Sequence, residues 1–164
     1  MEKYIPDTNT WIEHFHQRNG VTQRILALPT TQIFVSEVTL AELTFGAYNS
    51  NNFERHIQEP QWLRTFITVL SIGDIFEEYA IIRCSLKKQK KTLDKEIGNF
   101  DILIGATALH YGLTVVTDNV KHFELMPGVK VENWVERKWP LSPRFLRQRP
   151  SPSHRHRCGG YFCV

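Results

Sequence analysis

The sequence predicts an α/β protein, a three-layer α/β/α sandwich around a central, mainly parallel sheet. Three observations predict it. Short apolar, β-branched runs recur along residues 1–136. Stretches with helical apolar spacing separate those runs. The chain of 164 residues, 41% hydrophobic and 23% charged, is long enough for one core and ordinary in composition for a globular domain. Strands separated by helices form βαβ units, and their right-handed crossovers place helices on both faces of a parallel sheet.

Each element has its own local reason. Tyr4-Ile5 is a short apolar run that stops at Pro6-Asp7 and reads as the first strand. Thr8 to Phe15 and Val21 to Leu28 carry helical spacing. Gln32 to Val35 is the second strand. Ser36 is placed to cap a helix from Glu37 to about Tyr48. A further helical region, interrupted at Pro60, runs to about Phe66. Ile67 to Ile72 alternates and is β-branched, which predicts a third strand. Asp74 with Glu77 three residues later reads as a capping box for a helix through about Lys90. Gly98-Asn99 breaks the chain before a helix from Phe100 to Tyr111, and Gly112 ends that helix. Leu113 to Thr117 is the fourth strand, and Val129 to Val131 the fifth.

A second kind of sequence begins near residue 137. Residues 137–164 form a basic extension rich in Pro, Arg and His, and that composition is expected to bury little apolar surface and stay disordered. This extension distorts the charge balance. The chain carries 20 basic and 17 acidic residues, but five arginines and no acid lie in 139–164, so residues 1–138 hold 15 basic against 17 acidic. A net excess of positive charge therefore gives no reason to expect that the body binds nucleic acid. No apolar run is long enough to span a bilayer, and Met1 to Asp7 lacks a signal-peptide core, so the expected location is the cytoplasm, with no membrane partner. Cys84, Cys158 and Cys163 are an odd, sparse set that suits a reducing compartment. His154, His156, Cys158 and Cys163 match no standard zinc-finger spacing.

In an open parallel sheet, ligands sit beyond the carboxyl ends of the strands. Asp7 follows the first strand and Asp118 the fourth, so both are expected on that edge. Glu42 lies one to two turns into the helix after the second strand, and Asp101 opens the helix leading into the fourth. Taken singly, each has a plain structural reading. Asp7 and Asp118 are placed as helix N-caps, Asp101 as a partner of a helix dipole, and Glu42 as a partly exposed side chain. Taken together, four carboxylates converging on one rim would repel one another unless a cation compensates. Hard oxygen donors without Cys or His select Mg²⁺ or Mn²⁺ over zinc, and such ions suit phosphate chemistry.

Four segments recur in order. They are Tyr4-Ile5-Pro6-Asp7-Thr8-Asn9, Val38 to Ala47 around Glu42, Gly98 to Leu109 around Asp101, and Gly112 to Asn119 around Asp118. Phe123 and the run Pro127-Gly128 to Glu132-Asn133-Trp134 follow. Together they resemble the PIN-domain ribonucleases, and within them the VapC-type toxins of bacterial toxin–antitoxin pairs. The resemblance spans residues 3 to about 136 and implies a PIN-like α/β/α fold over 1–136. It also implies an Mg²⁺-dependent endoribonuclease, with Mn²⁺ as a substitute, acting on RNA and held in check by an antitoxin protein. Asp7 and Asp101 would be the principal metal ligands, Glu42 would complete the site directly or through water, and Asp118 would be the fourth catalytic acid. Thr8, Thr117 and Asn119 would reach water or phosphate. The resemblance further implies a homodimer.

Other assignments are smaller. Gly105, Ala106 and Ala108 let the Asp101 helix pack closely on the sheet. Trp11, Phe15, Trp62 and Phe66 serve as core or interface, with core favoured. The run Lys87-Lys88-Gln89-Lys90-Lys91 is a solvated helix end and the best candidate in the body for contacting RNA phosphates. Two other functions fit the same fold: an RNA-processing PIN nuclease without an antitoxin, and a non-catalytic RNA- or protein-binding module. A phosphatase of the haloacid-dehalogenase type needs a second Asp two residues after Asp7, where Asn9 stands.

Overall fold

The computed structural model describes residues 1–89 and 97–136. The extension 137–164 and the lysines at 90 and 91 lie outside the described residues. Five short strands are present among the described residues: β1 (Tyr4–Pro6), β2 (Phe34–Ser36), β3 (Thr68–Leu70), β4 (Thr114–Val116) and β5 (Lys130–Glu132). All pairings are parallel. β1, β4 and β5 form one ladder and β2 and β3 another, and a Tyr4–Ile33 bridge joins β1 to the segment entering β2. The spatial order is therefore β3-β2-β1-β4-β5. Chain progression reverses direction at β1, and the crevice between β1 and β4 is where such sheets bind ligands.

Eight helices connect the strands among the described residues. They are α1 (Thr8–Phe15), α2 (Val21–Leu26), α3 (Glu37–Tyr48), α4 (Phe53–His56), α5 (Gln58–Phe66), α6 (Phe76–Gln89), α7 (Asn99–Tyr111) and α8 (Val120–Phe123). Successive strand residues point to opposite faces, and the core divides accordingly. Ile5, Leu70, Leu113 and Val115 join Ile82, Leu86 and Ile102 in one cluster, under α6 and α7. Tyr4, Val35 and Val116 join Trp11, Val21 and Leu63 in the other, under α1, α2 and α5. The three-layer sandwich follows from this split. α3 serves both clusters, through Val38 and Leu43.

The predicted elements are all present, with shifted ends. α2 stops at Leu26 rather than Leu28. Gln32 ends a 3₁₀ turn, Thr30–Gln32, so β2 begins two residues later than its apolar run suggests. Pro60 does not interrupt a helix. It is the third residue of α5, where a backbone N–H would have no intrahelical partner to lose. Asp74 lies in a turn, and α6 starts only at Phe76, so Asp74 does not cap it. α7 starts at Asn99, inside the expected break. Gly112 ends α7 at φ +66°, a left-handed conformation that glycine adopts without strain.

Two packing details hold the site in place. Trp11 is fully buried and anchors α1, and its truncation to Ala would cost about 3–5 kcal/mol. A Cβ on Gly105 would stand 2.5 Å from the Met126 Sδ, so glycine is what lets α7 approach the β4–β5 region. The four aromatics divide in two. Trp11 is core and Phe15 packs against it, whereas Trp62 and Phe66 are exposed on α5. Lys87 and Lys88 are exposed at the end of α6.

Candidate active site

Asp7 leaves β1 at the carboxyl edge and caps α1. Its Oδ1 accepts the Thr10 amide at 2.7 Å, and its Oδ2 accepts the Thr117 hydroxyl at 2.6 Å. The Thr10 hydroxyl and the Asp7 amide both donate to the Val116 carbonyl, at 2.9 Å each. The carboxylate is thus a helix cap and a site group at once. It is only 4% exposed. Burial pushes its pKa up, the hydrogen bonds from Thr10 and Thr117 oppose that shift, and the charge of Asp101 adds to it.

Glu42 sits midway along α3, half-buried. α3 begins cleanly because the Ser36 hydroxyl accepts the Val38 amide at 3.2 Å. The Thr8 hydroxyl, at the start of α1, donates to Glu42 Oε2. Burial raises the Glu42 pKa, and the charges of Asp101 and Asp7 raise it further against the Thr8 bond. Asp101 lies in the first turn of α7. Its Oδ2 lies 3.0 Å from His122 Nδ1 and accepts the Asn119 amide at 3.4 Å.

The structure therefore brings Asp7, Glu42 and Asp101 within electrostatic reach of one another. Asp118 follows β4 on the same edge but turns aside. Its Oδ1 accepts the Asn133 amide at 3.2 Å, and it lines a cavity of about 330 Å³ with Asn9, Glu13, Asn19 and Asn119. The three hydroxyl and amide side chains expected to reach water or phosphate each hold one acid: Thr8 holds Glu42, Thr117 holds Asp7 and Asn119 holds Asp101.

Sequence reasoning missed His122. It lies three residues after Asn119 on α8, directly before Phe123, which is fully buried. The signal was there in His-Phe, since an apolar anchor pins the neighbour that precedes it. Asn119 Nδ2 and His122 Nδ1 are 2.6 Å apart, so Asn119, His122 and Asp101 form a closed triangle.

The donor set suits a hard dication. All three acids offer oxygen only, and burial first, with the neighbouring carboxylate charges adding to it, raises the pKa values of Asp7 and Glu42, an imbalance a cation relieves. Among the described residues, no three His, Cys, Asp or Glu side chains form a ready-made ion cage. The carboxylates stand close enough to repel and would have to draw together around an ion. Among the same residues, no helix is long and apolar enough to cross a membrane.

Comparison with known proteins identifies the family. The PIN domain family matches residues 4–127. The chain is 31% identical over 134 residues to the tRNA(fMet)-specific endonuclease VapC of Salmonella typhimurium, covering 82% of this chain and 99% of that protein. It is 33% identical over 135 residues to the ribonuclease VapC2 of Haemophilus influenzae, covering 82% and 100%. Among solved structures, DNA-bound VapBC from Salmonella typhimurium aligns with TM-score 0.67 at 30% identity, over 82% of this chain and 99% of the other. VapBC2 from Rickettsia felis, bound to a DNA fragment from their promoter, aligns with TM-score 0.68 at 25% identity, over 80% and 98%.

Proposed function

Because the chain belongs to the VapC branch of the PIN-domain family, we propose that it is an Mg²⁺-dependent endoribonuclease, the toxin of a toxin–antitoxin pair acting in the cytoplasm. The observation that carries the catalytic reading is the convergence of Asp7, Glu42 and Asp101 beyond the carboxyl ends of β1 and β4. Asp7 is buried, and a buried carboxylate needs compensation; it sits with the half-buried Glu42 and Asp101 where an α/β sheet takes its ligand.

In this reading water attacks an RNA phosphodiester lodged on the acidic rim. Asp7, Asp101 and Glu42 would hold Mg²⁺ or Mn²⁺, which when bound supplies water activation and charge neutralisation at the phosphate. The chain's own groups prepare the site. The Thr10 amide and Thr117 hydroxyl keep Asp7 fixed and favour its charged form. Thr8 does the same for Glu42, and Asn119 with His122 aims Asp101. Asp118 adds charge from the edge of the rim. Lys87 and Lys88 offer cations to the RNA backbone.

Two exposed apolar surfaces support protein partners. One is a groove of about 920 Å³ lined by Leu40, Ala41, Phe45, Tyr48 and Val69. The other groups Leu26, Trp62 and Phe66, with Trp62 packed against Phe15. A cognate antitoxin and a second copy of this chain are the proposed occupants. Cleavage of RNA with Mg²⁺, with EDTA, and by Asp7→Ala and Asp101→Ala tests the catalytic reading. Wild type should cut only with the metal and the variants should not cut. Equal cutting by the variants would end this reading. Toxicity on expression, relieved by the same substitutions, tests the toxin role.

A further inference from the structure

Gly46 and Gly105 look alike in sequence and differ in the structure. A Cβ on Gly105 would strike Met126, whereas a Cβ on Gly46 would meet no atom within 4 Å. Glycine inside a helix costs about 0.5–1 kcal/mol relative to alanine. No protein atom requires that cost at Gly46, which lies in the last part of α3. The space it leaves open is a cavity of about 210 Å³ between α1, α3 and α4–α5. Glu42, the candidate catalytic acid, stands on its wall.

The lining suits a heteroaromatic ring. Ile12, Leu43 and Ala47 give an apolar surface, and His16, Ser50, His56 and Glu59 add polar groups. The His16 and His56 rings meet edge to face at 6.5 Å. His56 Nδ1 is engaged by Glu59 at 3.1 Å, but the buried Nδ1 of His16 has no partner. The volume falls below the roughly 300–1,000 Å³ of drug-sized ligand sites, and a peptide helix does not fit. Single-stranded RNA is read by splaying out bases, stacking them on aromatic rings that include histidine, and hydrogen-bonding their edges.

The geometry points to a nucleobase pocket in which His16, His56 and Glu59 read one base of the RNA, next to the phosphate that is cut at Glu42. The inference rests on the ribonuclease reading. The base slides along the open side of Gly46, its edge bonds to the His16 ring and the Glu59 carboxylate that line the cavity, and the base identity at that position sets where the RNA is cut.

The test is to sequence the cleavage products of a random-sequence RNA pool with wild type, Gly46→Leu, Gly46→Ala and His16→Phe, alongside their melting temperatures. Wild type should prefer one base at a fixed position beside the cut. Gly46→Leu and His16→Phe should lose that preference by about tenfold, the worth of one hydrogen bond, and still cut. Gly46→Ala should melt no lower than wild type, which separates loss of reading from loss of fold. Unchanged preference in folded Gly46→Leu and His16→Phe would overturn the pocket and leave the nuclease reading standing. So would a wild type that cuts with no base preference. A wild type that cuts no RNA would overturn both. Loss of antitoxin binding by Gly46→Leu with base preference intact would assign the cavity to a protein partner and overturn the base-reading role.

Discussion

The Thr117 hydroxyl donates to Asp7 Oδ2 at 2.6 Å, a bond between residues 110 positions apart in the chain. It fixes the end of β4 to the end of β1 at the point where strand order reverses. Asp7 is therefore held by its own helix on one oxygen and by a neighbouring strand on the other.

This double hold sets the outcome of Asp7→Asn. The amide keeps the shape and removes a buried charge whose pKa is raised mainly by burial. RNA cleavage should fall by about 10²-fold or more, as for loss of a group that stabilises the transition state. Thermal unfolding should show the variant at least as stable as wild type without metal. A marked drop in melting temperature would mean that Asp7 is chiefly a structural cap.

The same shifts give a pH dependence. Asp7 and Glu42 both have raised pKa values in the folded state. A group of that kind binds its proton more tightly when folded. Its stabilising contribution is full below the ordinary values of 3.8 for Asp and 4.5 for Glu, and it is lost as pH rises through the raised ones. Without metal, melting temperature should therefore rise as pH is lowered from neutrality into that window. Added Mg²⁺ at neutral pH should raise it as well, and more than at the lower pH. A melting temperature indifferent to Mg²⁺ at neutral pH would count against the site.

Asp101 and Asp118 should part company. Asp101 acts electrostatically on both Asp7 and Glu42, while Asp118 is bonded to Asn133. Asp101→Asn should lose about 10²-fold or more of cleavage rate. Asp118→Asn preserves size and polarity at the rim and should stay within about tenfold of wild type, a change worth 1.4 kcal/mol or less. Single-turnover rates on one RNA decide between them.

His122 should matter through Asp101. Groups that orient a metal-binding carboxylate are typically worth about 10–100-fold in metal affinity. His122→Ala should weaken Mn²⁺ binding, measured calorimetrically, by about that factor. His122→Asn, whose amide can reach the place of Nδ1, should recover part of it. Equal Mn²⁺ affinity in wild type and His122→Ala would remove His122 from the site.

Much of this fold is legible in the sequence. The unbroken apolar pairs Tyr4-Ile5 and Val115-Val116 announce strands covered on both faces, and the clusters on the two sides use those residues in turn. Asp7 and Asp101 are legible because they stand at a strand end and in a helix's first turn, and Glu42 because it stands among apolar neighbours in mid-helix. Element ends were less legible, since the start of β2 depends on a 3₁₀ turn that its apolar run does not announce. The sequence does not single out His122, nor does it announce the bonds of Thr8 to Glu42 and of Thr117 to Asp7. Their roles depend on rotamers fixed by packing, such as the burial of Phe123, and a linear pattern does not carry that information. The cavity beside Gly46 was invisible for the same reason. Small residues read alike until a neighbour is present or missing.

The strand order has a consequence for how the protein is made. β4 inserts between β1 and β5, so the residues that hold Asp7 and aim Asp101, from Val116 to His122, are synthesised long after Asp7 itself. A nascent chain that has left the ribosome only as far as α7 has all three central acids and none of the strand that assembles them. On the proposed catalytic reading, a chain that ends before β4 should therefore cleave no RNA.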